Sequence, residues 1–137
     1  MSKFLPDLVL AALVAGCAQQ PQDTIHVTSM VLTSGANLQA GKRTPVHSFR
    51  HDDFVWQLVD FSWANLDKTG GTHRCSFNWY HDGVLISKTP EKYCNFGQSP
   101  WTLETHRAAA TLGTGQFKVE TVVDGTLMAS SVFDIAS

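Results

Sequence analysis

The stretch "HRCSFNWYHDGVLIS", residues 73–87, consists of two runs of strand-forming residues joined by Asp82-Gly83. An Asp-Gly pair supplies the φ > 0 positions that a tight hairpin turn needs, so the stretch predicts two antiparallel strands. A two-residue turn sets Trp79 opposite Ile86 and Tyr80 opposite Leu85. The arrangement recurs in "GQFKVETVVDGTLMASSVFDI", residues 115–135, around Asp124-Gly125. There Phe117, Val119 and Val123 share one face, and Leu127, Phe133 and Ile135 share one face of the returning strand. A two-residue turn would pair those faces out of phase. A three-residue loop, Asp124-Gly125-Thr126, sets Val123 against Leu127 and Phe117 against Phe133, and register predicts this longer loop.

Working outward, "FVWQLVDFSW" (54–63) places Val55, Val59, Phe61 and Trp63 on one face and Phe54, Trp56 and Leu58 on the other. A strand apolar on both faces belongs in the middle of a structure. "TIHVTSMVL" (24–32) alternates Ile25 and Val27 with polar neighbours. "WTLETHRAAATL" (101–112) reads as a strand, although Ala108 to Ala110 also suit a short helix. Six or seven short strands with turn signals about every ten residues predict an all-β, antiparallel two-sheet sandwich. The pattern "FNWYHDG" followed by the second hairpin resembles the Ig-like sandwiches of bacterial envelope proteins, which implies an Ig-like architecture. It departs from antibody domains, because Cys75 lies on the same strand as Trp79.

The N-terminal end has a different composition. Lys3, an apolar core from Leu8 to Val14 and small residues before a sharp change to polar sequence form the three parts of an export signal. That core is far short of the roughly 20 apolar residues that span a bilayer. "LVAGC", Leu13 to Cys17, resembles the lipobox of bacterial lipoproteins. The resemblance implies cleavage after residue 16 and acylation of Cys17, and Ala18 in place of Asp implies sorting to the periplasmic face of the outer membrane of a Gram-negative bacterium. The chain then divides into a signal peptide (1–16), a lipidated cysteine with a polar tether (17–24) and one sandwich domain (25–137). A formal net charge of −2 over 137 residues, without charge blocks, gives no nucleic-acid footprint.

With Cys17 assigned to lipid, Cys75 and Cys94 are the remaining thiols, and export implies an oxidising compartment. A disulfide between them closes a loop of about 20 residues, worth roughly 3 kcal/mol on the chain-entropy model. Two buried free thiols are the alternative reading. A cysteine metal site lacks close ligands, since His73, Cys75 and Cys94 leave the fourth unnamed.

No nucleophile elbow, phosphate-cradling glycine loop or His-Glu-x-x-His motif is present, so no catalysis and no cofactor are expected. "HSFRHDD" (47–53) puts His47 and His51 four residues apart beside Asp52 and Asp53, the weak candidates for a metal site if the segment were helical. Pro45 before it and a strand after it favour a solvated loop instead, with Asp52 or Asp53 shaping the turn. His73, His81 and His106 read as surface histidines.

The stretch "KTPEKYCNFGQSPW" (88–101) carries Tyr93, Phe96 and Trp101 around Cys94, with Pro90, Gly97 and Pro100 opposing regular structure. On a loop pinned by a disulfide these rings are the candidate contact surface for another envelope protein or a glycan. The competing reading folds them back to plug the open end of the sandwich. Trp56, Trp63 and Trp79 read as core or inter-sheet packing.

The function expected is a lipid-anchored binding or scaffold module of the envelope. One alternative is an accessory lipoprotein of an envelope-spanning secretion or conjugation system, because "NLQAGKRTPV" (37–46) resembles the first hairpin of the small lipoprotein of type VI secretion. A metal-binding periplasmic protein built on His47 and His51 is the other. Replacing Cys17 by serine is expected to move the protein out of the membrane fraction or leave it unprocessed; unchanged fractionation would refute the anchor.

Overall fold

The computed structural model describes residues 22–137. The expected signal segment, Cys17 and most of the tether lie outside the described residues. Nine strands and two single-turn helices follow in the order β1 (His26–Ser34), α1 (Gly35–Gln39), β2 (Ser48–Phe49), β3 (Phe54–Ser62), β4 (Gly71–His81), β5 (Val84–Lys88), β6 (Lys92–Phe96), β7 (Trp101–Ala108), α2 (Ala109–Leu112), β8 (Gly115–Val123) and β9 (Thr126–Ile135). They form two sheets, one ordered β1-β3-β7 and the other β2-β9-β8-β4-β5, with β6 also paired to β4. Pairing is antiparallel throughout except for β2, which runs parallel to the end of β9.

Both Asp-Gly turns contain two residues, with φ of 48° and 83° at Asp82 and Gly83 and of 52° and 76° at Asp124 and Gly125. Val123 therefore faces Thr126 and Val122 faces Leu127, and a bulge at Met128 restores the phase so that Phe117 still meets Phe133. The predicted three-residue loop is corrected by this combination. A primed turn matches the twist of the strands, and the extra bulge residue does what the longer loop was expected to do. Leu127 accordingly points to solvent, while Phe133 and Ile135 are buried. The first hairpin repeats the device: Tyr80 faces Leu85 as expected, but the register shift at Ile86 leaves Trp79 opposite Ser87.

The other ambiguous stretches divide cleanly. "WTLETHRAAATL" is a strand to Ala108 and then one helical turn, whose Ala109 and Leu112 are buried. "NLQAGKRTPV", whose resemblance implied a hairpin, is the end of α1 followed by an irregular loop tied by hydrogen bonds from Val46 N to Leu32 O and from Lys42 N to Asn37 O. The sequence around Cys94 contains strand β6, because Pro90, Gly97 and Pro100 all fall outside its five residues. Cys75 and Cys94 form a disulfide with Cα atoms 6.1 Å apart, which joins neighbouring strands of one sheet instead of tying a strand to a loop.

The core lies between the sheets in two parts. One gathers Phe49, Val55, Trp79, Phe117, Phe133 and Ile135 with smaller neighbours, and the other is built on Val59, Phe61, Trp63, Phe96, Leu103 and Val123. On β3, between Val55 and Val59, stands Gln57, fully buried. Its amide nitrogen donates to Ser131 Oγ (2.9 Å) and Val119 O (3.3 Å), and its oxygen accepts from Thr121 Oγ1 (2.6 Å), so every bond crosses to the opposite sheet. Gln57→Ala leaves the Thr121 hydroxyl without its acceptor and the Ser131 hydroxyl, which still donates to Met30 Sδ, without its donor, beside a new cavity, and is expected to cost about 3 kcal/mol. The triple change Gln57→Leu, Thr121→Val, Ser131→Ala is expected to stay within about 1 kcal/mol of wild type, because it removes the polar groups together. Urea unfolding of the three proteins checks both values.

Candidate functional site

The outer face of the β1-β3-β7 sheet carries a groove of about 800 Å³. Its floor comes from the second apolar face of β3: Phe54 is 50% exposed, Trp56 is half-buried and Leu58 is buried. His106, directly opposite Trp56 on β7, stacks on the indole with ring centroids 4.0 Å apart and planes 13° from parallel. One wall is α1. Ser34 caps it by accepting from Asn37 N (3.2 Å), and Asn37 Nδ2 donates to Thr33 Oγ1 (3.1 Å), which in turn donates to Thr44 O. Gly35 lets this wall sit close to the floor. A Cβ there would lie 3.2 Å from Phe54 Cβ and 3.3 Å from Trp56 Nε1.

Charged residues edge the groove. Beyond Phe54, Asp53 closes the turn by accepting from Arg50 N (2.8 Å) and donating its own N–H to Arg50 O, which leaves Asp52 exposed. Beside Leu58 stand exposed Glu104 and, from the loop after α1, Arg43. Arg43 Nη1 reaches the Asp60 carboxylate at 2.6 Å, and that carboxylate also accepts from Ser29 Oγ (2.6 Å) and Thr102 Oγ1 (2.5 Å). Burial pushes the Asp60 carboxyl up, but these three hydrogen bonds and the Arg43 charge outweigh it and hold the group below the ordinary carboxylate value.

The residues singled out from sequence do not converge on one site. Phe96 is fully buried, edge-on to Phe61 at 5.0 Å, and Trp101 is half-buried beside it. Tyr93 alone is exposed, under the Arg74 guanidinium and accepting its hydrogen bond at 3.1 Å. The proposed three-ring surface is therefore corrected: strand alternation turns Tyr93 outward, while Phe96, at the end of β6, is buried against the inner core. His47 and His51 are exposed on either side of β2, a strand where the metal reading needed a helix. Among the described residues no group of three His, Cys, Asp or Glu side chains is placed to hold a metal ion. Of three other histidines, His106 is exposed as expected, while His73 and His81 are partly buried. His73 bonds Asp124 Oδ2 and Gly70 O, both at 2.6 Å; His81 stacks on Phe117; His106 stacks on Trp56. Trp56, read as core or inter-sheet packing, lies on the outer face.

No known protein-family model matches the chain, and no curated protein matches it in sequence. Among solved structures it is similar to an immunoglobulin-like protein from Pseudomonas aeruginosa, with a TM-score of 0.53 at 9% identity over 84% of this chain and 98% of that one. The chain folds as an Ig-like sandwich. It is also similar to part of the alkylpurine DNA glycosylase AlkC from Pseudomonas fluorescens, with a TM-score of 0.50 at 9% identity, covering 84% of this chain but 31% of that protein. At such identities the likeness shows the fold alone.

With strands lettered as in Ig domains, β1, β3 and β7 are A, B and E, and β9, β8, β4 and β5 are G, F, C and C′. Trp79 then stands on strand C, the place of the buried tryptophan of antibody domains. The disulfide of this Ig-like domain runs within one sheet, and the groove lies on the outer face of A-B-E, away from the loop ends that antibody domains use.

The Asp60 shift has a definite sign. A carboxyl whose folded pKa is depressed contributes stability above its unfolded pKa, near 3.8, and loses it as pH falls through the lower folded value. The stability advantage of wild type over Asp60→Asn is expected to be constant from pH 7 to about pH 5 and to shrink below about pH 4. Urea midpoints across that range check it.

Proposed function

We propose that this chain is a lipid-anchored, non-catalytic binding or scaffold module of the bacterial envelope, held at the periplasmic face of the outer membrane, and that it engages another envelope protein through the groove on the β1-β3-β7 face. The observation that carries the reading is the groove itself: aromatic surface left open to solvent on a small domain, walled by a capped helix and edged by charge. Pockets of this size with an apolar floor and a few placed polar groups are the usual form of a binding site.

The route of the chain into the domain supports an oriented arrangement. Gln22 bridges to Thr69, Asp23 N donates to Thr69 O at 2.9 Å, and Asp23 Oδ2 accepts from Asn65 N at 2.7 Å. The tether expected over residues 17–24 is therefore already held at its last residues. Five residue steps separate Cys17 from Gln22, a reach of at most about 18 Å. From that fixed point β1 climbs the sandwich, and its far end, Ser34, leads into α1 beside the groove, about 25 Å away along the strand. An anchor at Cys17 thus leaves the groove on the half of the domain farther from the bilayer.

Affinity capture of the lipidated protein from detergent-solubilised envelopes, with the Phe54→Ala/Trp56→Ala variant in parallel, tests the reading. A stoichiometric partner captured by wild type and lost in the variant is the expected result. Equal capture by both would remove the groove from the function, and no partner in either would remove the scaffold role.

A further inference from the structure

Resting on the reading of the groove as a partner site, we infer that its occupant is an extended, basic segment of the partner polypeptide, which adds to the free edge of β7 and lays an Arg or Lys side chain across the Trp56–His106 stack. Charge is the first argument. The groove is lined by three carboxylates, Asp52, Asp53 and Glu104, against one guanidinium, Arg43. That guanidinium is already committed to Asp60 at 2.6 Å, so the lining carries uncompensated negative charge. A cation over aromatic rings next to carboxylates gains from both the ring quadrupole and the ion pair.

Backbone geometry supplies the second argument and selects a polypeptide. Among the described strands β7 pairs with β3 alone, so its other edge presents unpaired N–H and C=O groups beside the groove. A strand added there gains main-chain hydrogen bonds, and alternate side chains fall on the same face as Glu104 and His106. The opposite face of β7 is already occupied: Arg107 donates to Ser87 Oγ of β5 and lies over the Trp79 ring. Only the groove face of an added strand is open.

The test measures fluorescence anisotropy of a labelled peptide, Val-Arg-Val-Arg-Val-Thr-Ser, with the full lipidated chain in detergent. Three further probes accompany it: the peptide with both Arg replaced by Glu, the basic peptide methylated at alternate backbone nitrogens, and chitotetraose as competitor. The expected result is binding of the basic peptide, none of the acidic one, and a loss of about three- to tenfold in affinity in Glu104→Gln and in Asp52→Asn. Loss of binding on backbone methylation is expected as well. Thermal melts of both variants, whose side chains are exposed, confirm that they fold. Equal binding of basic and acidic peptides, unchanged affinity in both variants, undiminished binding of the methylated probe, or displacement by chitotetraose would each overturn the inference. Its failure is distinct from that of the parent reading. Groove-dependent capture without charge discrimination keeps the binding module and discards the basic strand, whereas the absence of any captured partner removes both.

Discussion

Gln57 is the point on which the two sheets are keyed to each other. Hydrophobic contact between sheets is non-directional and tolerates sliding, whereas an amide with three bonds to fixed atoms on the other sheet does not. The bonds join β3 to β8 and β9, and β3 and β8 are the B and F strands that antibody domains link by a disulfide across the core. Here a polar clasp takes that place between the two apolar clusters. The covalent bond has moved to the flank, where it fastens β6 to β4.

Keying β3 inward through Gln57 fixes what its other face must do. Side chains alternate along a strand, so with Val55, Gln57, Val59 and Phe61 buried, Phe54, Trp56, Leu58 and Asp60 face out. Leu58 is covered, but nothing on that side is large enough to cover Phe54 and Trp56 fully: α1 is a single turn, and the Arg43–Asp60 pair occupies only the lower end. The groove is thus the remainder of an apolar strand face that the domain does not cover. That remainder is what an unassembled component would present to its partner.

The sequence was legible where local chemistry and long-range packing agree. Both Asp-Gly hairpins and the central position of the doubly apolar strand follow from residue types and spacing, and the cysteine pair from what the lipobox resemblance leaves over. The bulges at Ile86 and Met128 did not, because a bulge answers a conflict between turn and face that appears only once both are set. Strand β6 was hidden by prolines and glycine that flank it without entering it. The groove was hidden more deeply. Trp56 and Phe54 were recognised as a second apolar face, but whether such a face is covered by another layer depends on strand order, which the sequence does not carry. The stack with His106 depends on pairing between residues fifty positions apart. The rings of Tyr93, Phe96 and Trp101 are neighbours in sequence, but the alternation of β6 separates Tyr93 from Phe96, and Trp101 opens β7.

The proposed role is contact, carried by the groove on the β1-β3-β7 face. Site-specific photocrosslinking in intact cells tests this most directly, with a photoreactive amino acid placed at position 54 in the groove or at position 93 outside it. The account predicts an adduct of one defined mass from position 54 and none from position 93. An adduct from position 93 alone, or no adduct from position 54, would contradict it.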